Sequence, residues 1–374
     1  MNFPKWPAST ERELELLREV IESDRWGGYH EFVARFENEF AAFQHCSLGI
    51  AAMNGTVTLE MALTAAGIGP GDEVIVPAIS FVSTASAVSR VGATPVFCDI
   101  EELSFNLDPE RARAAVGPKT RAIIVVHFGG PMADMDRHMA LAEAHDLSLI
   151  EDAAHAHGSE WSGRRAGSIG LAGSFSFQNS KVMTSGEGGI LVSNDPDFAE
   201  RARSIGDQGR RIGGGWFHHY TLGTNTRMTA LQAAVLIAQL ERLPEQICLR
   251  MRNAALLRSE LADVPGLRLQ TVPDQARINA WYLLLGRIDA DRFGITRDEF
   301  CEALQAAGIA VTPFYPHPLY GNPLYRGGGC RVEPCPVAEA CIGDAFWLPH
   351  RLLMGREEDT RELARLIRSL YMRS

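Results

Sequence analysis

The sequence predicts an α/β protein, with a large domain built on a mostly parallel sheet and a smaller C-terminal α+β domain. Between residues 50 and 200, short and almost wholly apolar runs alternate with helical patterns. Such strands are typical of a parallel sheet that helices cover on both faces. The 374 residues suffice for about two domains of roughly 150 residues each. We expect a large domain over residues 1–245, including the N-terminal segment, and a small domain over residues 246–374.

The alternation within the large domain defines its elements. The predicted strands are Glu73–Pro77, Thr94–Cys98, Ala122–Val126, Ser148–Glu151, Gly173–Phe177 and Gly189–Ser193. The predicted helices between them are Thr56–Gly67, Phe81–Val91, Pro109–Ala115 and Asp134–His145. Ligands of such sheets bind at the carboxyl ends of the strands, so we expect the functional residues there.

The pattern changes after Gly206. Residues Gly206–Gly223 are rich in Gly, Arg and aromatic side chains, which indicates a long functional loop. A helical apolar stripe over Thr229–Leu243 is expected to end at Pro244, because proline disrupts a helix interior. The elements predicted beyond it are the helix Gln246–Leu261, the strand Trp281–Ile288 and the helices Thr296–Ala307 and Glu357–Tyr371.

Composition narrows the class of protein. Hydrophobic residues make up 46% and charged residues 22%, which is typical of a globular chain. The net charge of −10 argues against a nucleic-acid partner, which requires clustered Lys and Arg. Met1–Trp6 lacks the apolar core of a secretion signal, and no run approaches the ~20 apolar residues of a membrane span. We expect a soluble cytoplasmic protein. The seven cysteines lack the spacing of zinc ligands, so no metal is expected.

A single lysine, Lys181, follows a predicted buried strand in the segment Ser176–Gly189 (SFQNSKVMTSGEGG). An aldehyde cofactor needs an amine that is neutral near physiological pH, and burial lowers the pKa of lysine. The glycines at the end of the segment let the backbone approach a planar ligand closely. The alternative is a solvated lysine in a turn between two strands.

Asp152 falls at the carboxyl end of another apolar strand, in the segment IEDAAHAHG. A carboxylate in such a place needs a cationic partner or strong hydrogen bonds. The protonated ring nitrogen of pyridoxal 5′-phosphate (PLP) is a partner of this kind. His155 is a candidate to orient Asp152 or to contact the ring hydroxyl. The alternative is a helix-capping Asp152 with His155 as a core residue.

Two weaker signals accompany these residues. Gly55 and Thr56 follow Asn54 directly before an amphipathic helix, where backbone N–H groups favour a phosphate. Asn54 is equally a good N-cap for that helix. Phe81 follows the strand ending at Pro77 and is a candidate to stack on a cofactor ring, although a buried Phe most often belongs to the core.

These features occur together in the order of one large family. The chain resembles the DegT/DnrJ/EryC1/StrS family of PLP-dependent aminotransferases, which act on ketosugars and ketocyclitols. The resemblance implies the aspartate aminotransferase-like fold type I, with a large, mostly parallel α/β/α sandwich. The matching stretches are NGTVTLEMAL, GDEVIVPAISFVSTASAV, GATPVFCDI, IEDAAHAHGS, GSFSFQNSKVMTSGEGG, LGTNTRMTALQAAVLIAQLERL and, more weakly, PFYPHPLY.

The resemblance also implies a role for each candidate residue. Lys181 would form the Schiff base with PLP, and Asp152 would pair with the pyridine nitrogen. Phe81 would stack on the ring, and His155 would lie on its hydroxyl side. The phosphate would be held by Gly55, Thr56, Ser176 and, from the neighbouring subunit, Asn225. A homodimer with shared active sites would follow, with the Gly/Arg/aromatic loop at the interface.

The implied reaction is a ping-pong transfer of an amino group from L-glutamate or L-glutamine to a ketocyclitol or ketosugar. Gln178 and the Trp6-Pro7 pair are similar to the branch of the family that makes aminocyclitols and aminohydroxybenzoate. Many nucleotide-sugar members have His at the place of Gln178. Arg210, Arg211 and Arg227 are candidates to contact a diphosphate or the carboxylate of the amino donor. The alternative for Arg210 and Arg211 is a solvated loop. The alternatives are a nucleotide-ketosugar aminotransferase, a dehydratase, which has His at the place of Lys181, or a non-catalytic regulatory homologue.

Overall fold

The computed structural model describes residues 1–371, and its strands form two main sheets and one short hairpin. The strands are β1 (Leu48–Ala52), β2 (Glu73–Pro77), β3 (Thr94–Cys98), β4 (Thr120–Val126), β5 (Ser148–Asp152), β6 (Glu160–Trp161), β7 (Arg164–Arg165), β8 (Ala172–Ser176), β9 (Gly189–Ser193), β10 (Leu267–Leu269), β11 (Leu283–Ile288), β12 (Thr312–Pro313), β13 (Arg331–Val332) and β14 (Ala345–Pro349).

The helices cover these sheets. They are α1 (Glu11–Glu22), α2 (Glu31–Phe43), α3 (Gly55–Ala65), α4 (Ser83–Arg90), α5 (Pro109–Ala115), α6 (Met135–Ala144), α7 (Pro196–Gly206), α8 (Ala230–Leu261), α9 (Ala290–Phe293), α10 (Arg297–Ala306), α11 (Pro336–Asp344) and α12 (Glu357–Tyr371). Two 3₁₀ turns lie at Leu319–Gly321 and His350–Leu353. The helices predicted between the strands of the large sheet are confirmed, with ends that shift by one or two residues.

The large sheet has eight strands in the order β1-β9-β8-β5-β4-β2-β3-β13. Neighbours from β8 to β13 pair in parallel, whereas β9 runs antiparallel to both β8 and β1. Alternate residues of β4 pack on opposite faces: Ile123 and Val125 enter one hydrophobic cluster, and Ala122 and Ile124 enter another. The prediction of a mostly parallel sheet covered on both faces is therefore confirmed. Strands β1 and β13, which close its two edges, were not predicted.

The second sheet is antiparallel, in the order β10-β11-β14-β12. Its hydrophobic cluster includes Leu284 from β11, Phe300 from α10, Ile367 from α12 and Leu257 from the second half of α8. The chain also returns to the large sheet, because β13 pairs with β3. The division into domains at residues 245 and 246 stays a prediction.

The expectation of two helices that meet at Pro244 was wrong. One helix, α8, continues from Ala230 to Leu261 with Pro244 inside it. A proline in a helix removes one hydrogen bond and costs about 3 kcal/mol. Leu243 and Ile247 are buried on either side of it, so the packing of the long apolar face offsets this cost.

Over residues 1–371 no helix is long and apolar enough to cross a membrane. In the same range, no cluster of three or more His, Cys, Asp or Glu side chains is arranged to hold a metal ion. All seven cysteines are free. The expected cytoplasmic location stays a prediction.

Candidate active site

A cavity of about 770 Å³ opens at the carboxyl ends of the parallel strands. Its walls come from the start of α3, the segment after β2, the end of β5, the turn between β8 and β9, and the start of β11. The structure brings together the following sequence-predicted residues on these walls: Gly55, Thr56, Phe81, Asp152, His155, Ser176 and Lys181.

Lys181 lies in the turn after β8, and its main chain is tied on both sides. Its N–H donates to the carbonyl of Gln178 (2.9 Å), and its carbonyl accepts from Nε1 of Trp6 (2.9 Å). The Nζ atom lies 4.4 Å from the centre of the Tyr282 ring. Burial lowers the pKa of Lys181 to about 8, and the nearby Asp152 charge opposes that shift. A substantial fraction of the amine is therefore neutral near physiological pH, as an amine nucleophile requires.

Asp152 ends β5 at the base of the cavity, and only 6% of its surface is exposed. Its Oδ2 accepts from the Thr84 hydroxyl (2.7 Å), and its Oδ1 accepts from the Ala154 N–H (3.3 Å). Because Thr84 gives its only hydroxyl hydrogen to Asp152, the Ser80 hydroxyl, 2.7 Å away, must donate to Thr84. Burial raises the pKa of Asp152, while the Thr84 hydroxyl and Lys181 lower it. No cation forms an ion pair with this carboxylate among residues 1–371, so a cationic ligand group would stabilise it.

His155 faces the cavity as a neutral imidazole. Its Nδ1 accepts from the Gly129 N–H (3.3 Å), which places the ring proton on Nε2. Burial, with a smaller contribution from the Lys181 charge, lowers the pKa of His155 well below its ordinary value. The ring lies against that of Tyr282, with centroids 4.4 Å apart. His155 therefore offers a fixed N–H donor to a ligand.

The N-terminus of α3 forms a polar end of the cavity. Asn54 caps the helix, since its Oδ1 accepts from the Val57 N–H (3.0 Å). A Cβ atom at Gly55 would lie 2.8 Å from Cβ of Ser176, so glycine is required for this close approach. The Thr56 and Ser83 hydroxyls lie 2.7 Å apart at the same place. Free N–H groups and hydroxyls at a helix N-terminus favour a phosphate.

Phe81 lines the cavity with 59% of its surface exposed. An aromatic ring with one free face gains contact area when a planar ligand stacks on it. This exposure excludes the alternative that Phe81 belongs to the core, and its stacking on a cofactor ring stays a prediction.

Asn225 lies outside this cavity, on the exposed segment between α7 and α8. Its Oδ1 accepts from the Arg227 N–H (3.2 Å), and Arg227 forms an ion pair with Asp207 (2.6 Å). The preceding loop exposes Phe217 and Leu222 by 84% and 96%. The contact of Asn225 with a neighbouring subunit stays a prediction.

Sequence reasoning missed Thr84, the buried hydrogen-bond partner of Asp152, and several residues that line the cavity. Thr84 was within reach, because it lies three residues after Phe81 on a helix that was predicted to start at the strand end. Tyr282 and Trp347 come from the C-terminal part of the chain, and no motif links them to Lys181. Tyr315 lies in the weakly matching PFYPHPLY stretch, but that stretch assigned it no role. Their place becomes clear only when β11 and β14 pack beside the large sheet.

The residues present fit PLP. A buried amine of lowered pKa, a buried carboxylate, a helix N-terminus with hydroxyls and a half-free aromatic ring surround one cavity. In the same order, these groups match the aldehyde, the pyridine nitrogen, the phosphate and the flat ring of PLP. The family model of the DegT/DnrJ/EryC1/StrS aminotransferase family matches residues 7–366. The chain belongs to this family. It is a PLP-dependent aminotransferase of fold type I, as the resemblance implied.

Relatives and solved structures are similar over nearly the whole chain. The L-glutamine:2-deoxy-scyllo-inosose aminotransferase of Streptoalloteichus tenebrarius is 36% identical, over 97% of this chain and 92% of that protein. The crystal structure of 3-amino-5-hydroxybenzoic acid synthase has a TM-score of 0.94 and 36% identity, covering 100% of this chain and 99% of that one. The structure of DesI in the presence of its TDP-sugar product has a TM-score of 0.87 and 33% identity, covering 98% and 92%.

Proposed function

We propose that this aminotransferase moves an amino group from L-glutamine or L-glutamate to the keto group of a ketocyclitol or ketosugar. The observation that carries the proposal is the buried Lys181 amine, with its pKa lowered to about 8, beside the buried Asp152 in one cavity. The similarity to a glutamine-dependent ketocyclitol aminotransferase supports the choice of both substrates. Because both substrates use the same cavity in turn, the kinetics should be ping-pong.

Lys181 is the residue that attaches the cofactor and moves the proton. When bound, PLP supplies a ring that takes up the electron pair left at the α-carbon of the amino donor. Lys181 Nζ removes the proton from that α-carbon as a general base and delivers it as a general acid. In the second half of the reaction Lys181 carries out the same transfers in reverse order on the keto acceptor.

Asp152 would keep the cofactor ring nitrogen protonated, and the Ser80–Thr84 hydrogen bonds hold its carboxylate in place. His155 would donate its Nε2–H to the ring hydroxyl, and Phe81 would stack on the ring. From this chain, the phosphate would be held by Gly55, Thr56 and Ser176.

We propose further that the protein is a homodimer in which Asn225 reaches the phosphate of the neighbouring subunit's cofactor. Large apolar side chains on the loop before Asn225 are exposed, with Phe217 at 84%, which is unfavourable for a surface in water. A mixture of Lys181→Ala and Asn225→Ala proteins tests this arrangement. Random pairing gives half heterodimers, each with one intact site, and hence about a quarter of wild-type activity. A mixture as inactive as the single variants would contradict shared sites.

An absorbance experiment tests the reaction itself. The PLP-loaded protein should lose its long-wavelength band when L-glutamine or L-glutamate is added, as the cofactor takes up the amino group. The protein carrying that amino group should then recover the band with 2-deoxy-scyllo-inosose. Lys181→Ala is the control, and a wild-type protein without a donor response would contradict the proposal.

A nucleotide ketosugar is the second candidate acceptor. The similarity to DesI supports it. On the loop before Asn225, the exposed Arg211 offers a guanidinium group to a diphosphate, whereas Arg210 is already bound to Asp207, Gln208 and the Trp216 carbonyl. Recovery of the band with a TDP-ketosugar but not with the ketocyclitol would select this candidate.

A further inference from the structure

The turn between β8 and β9 places two polar side chains, Gln178 and Glu187, on the cavity wall. Ser176 pairs with Gly189 at the end of the two strands, and the Phe177 N–H donates to the Gly188 carbonyl (2.8 Å). The strand pairing then ends, because the Phe177 carbonyl accepts from the Ser185 N–H (3.2 Å) and a turn begins. Gln178 opens this turn and Glu187 closes it, and both side chains line the cavity together with Ser176.

The carboxamide of Gln178 is held in one orientation. Its Oε1 accepts two hydrogen bonds from Ser180, one from the backbone N–H and one from the hydroxyl (both 2.8 Å). Because Ser180 gives its only hydroxyl hydrogen to Gln178, the Tyr282 hydroxyl, 2.7 Å away, must donate to Ser180. A flipped amide would set its NH₂ group against the Ser180 N–H. The two Nε2 hydrogens are therefore directed away from Ser180 and find no acceptor among residues 1–371.

Glu187 supplies the complementary group. Its carbonyl accepts from the Ser185 hydroxyl (2.9 Å) and the Gln232 amide (2.7 Å), which fixes its main chain. Its carboxylate forms no hydrogen bond or ion pair within the described part of the chain, and the side chain is exposed to the cavity. The cavity wall formed by this turn thus carries both N–H donors and a carboxylate acceptor.

A donor and an acceptor on one cavity wall select the chemistry of their ligand. A hydroxyl both accepts and donates, so a ligand with several hydroxyls satisfies both Gln178 and Glu187. A carboxylate or phosphate oxygen only accepts, and the Glu187 charge repels it. The α-carboxylate of the amino donor is therefore disfavoured on this wall, whereas an uncharged polyhydroxylated ring is favoured.

We propose that Gln178 and Glu187 bind hydroxyls of an uncharged keto acceptor, and that Gln178 is a specificity-determining residue of the amine-accepting half-reaction. The inference rests on the proposed function and assigns to this turn the selection of an uncharged ketocyclitol over a nucleotide ketosugar. The hydrogen bonds from Tyr282 to Ser180 and from Ser180 to Gln178 fix the direction of the Gln178 amide. This direction defines which side of the acceptor's ring the amide contacts.

The test replaces Gln178 by Met in the PLP-loaded protein and follows the two half-reactions separately. With 2-deoxy-scyllo-inosose, kcat/KM of the accepting half should fall about tenfold, the size expected for hydrogen bonds to an uncharged ligand. The donor half-reaction with L-glutamine should stay within about twofold. With cyclohexanone, which has no hydroxyls, wild type and variant should react alike. Gln275→Met, at an exposed loop outside the cavity, is the matched control.

Binding supplies a readout without turnover. Calorimetric titration with scyllo-inositol should show about tenfold weaker binding to Gln178→Met than to wild type. The inference would be overturned if both proteins bound scyllo-inositol equally or if wild type did not bind it. It would also be overturned if Gln178→Met lost as much kcat/KM with cyclohexanone and in the donor half-reaction as with 2-deoxy-scyllo-inosose. A wild type that reacts with no amino donor would instead overturn the proposed function.

Discussion

Replacing Thr84 by Val removes the hydroxyl that donates to Asp152 Oδ2 and keeps the branched shape of the side chain. The hydrogen bond that remains to the Asp152 carboxylate, donated by the Ala154 N–H, is long at 3.3 Å. A hydrogen bond to a buried charged group contributes about 1.5–3 kcal/mol. Since 1.36 kcal/mol is tenfold in rate, kcat/KM should fall roughly 10- to 150-fold.

The same substitution should change the pH profile. Burial raises the pKa of Asp152, and the Thr84 hydroxyl is the strongest contact that opposes it. Without that hydroxyl the pKa rises further, so the acidic limb of kcat/KM should move to higher pH. Steady-state kinetics across the pH range measure both effects.

Two matched variants make the result specific. Thr84→Ser keeps the hydroxyl and should retain most of the activity, whereas Thr64→Val changes an exposed threonine of α3 and should have no effect. The reasoning is refuted if Thr84→Val reacts within twofold of wild type, or if Thr84→Ser is damaged equally.

Two further predictions concern the buried charges. The rate at which PLP attaches to the apoprotein should increase as the pH rises to about 8 and then level off. Burial lowers the pKa of Lys181 to about 8, and the neutral amine is the form that reacts. Stopped-flow absorbance measures this rate, and a continued rise near pH 10 would contradict the assignment. Glu151→Gln should lower the free energy of unfolding by about 3–5 kcal/mol, because a buried charged network loses one partner. The Glu151 oxygens accept from His127 and from the N–H groups of Gly167, Ile169 and Gly170, so an amide NH₂ would face donors. Burial opposes ionisation of Glu151, but these bonds outweigh it and lower its pKa below 4.5. The ionised Glu151 therefore stabilises the fold above pH 4.5, and this stabilisation is lost as the pH falls through the folded-state pKa. Urea unfolding of wild type and Glu151→Gln at several pH values measures it. Equal unfolding midpoints for the two proteins would count against the network.

Elements with local signals could be predicted from the sequence. The bounds of β2, β3 and β9 agree with their apolar runs, and α5 begins where Asp108 caps it before Pro109. Strand β1 was missed because its short segment, LGIAA, has no distinctive pattern. It becomes a strand by pairing with β9, about 140 residues later, and no local pattern records that pairing.

The candidate site likewise contains residues that could be predicted from the sequence and residues that could not. Asp152 and Lys181 lie near strand ends, and parallel strands bring their carboxyl ends to one edge, so their proximity could be predicted. Tyr282 and Trp347 reach the cavity only through tertiary packing of the second sheet. The Tyr282–Ser180–Gln178 hydrogen bonds depend on that packing. For this reason the sequence indicates Gln178 only through the family resemblance, and not through a physical role.

The return of the chain to the large sheet through β13 limits how this protein can be recombined with its relatives. A chimera joined at residue 245 would cut α8 in its middle and would exchange β13 together with the second sheet. A mismatched β13 would leave β3 as an open edge, and open edges invite pairing between molecules. The N-terminus is tied to the far end of the chain as well, through the Asn2 N–H and Asp359 (2.7 Å). Exchange of substrate preference between relatives should therefore succeed by grafting the turn at residues 178–187, and fail by aggregation when whole C-terminal parts are exchanged.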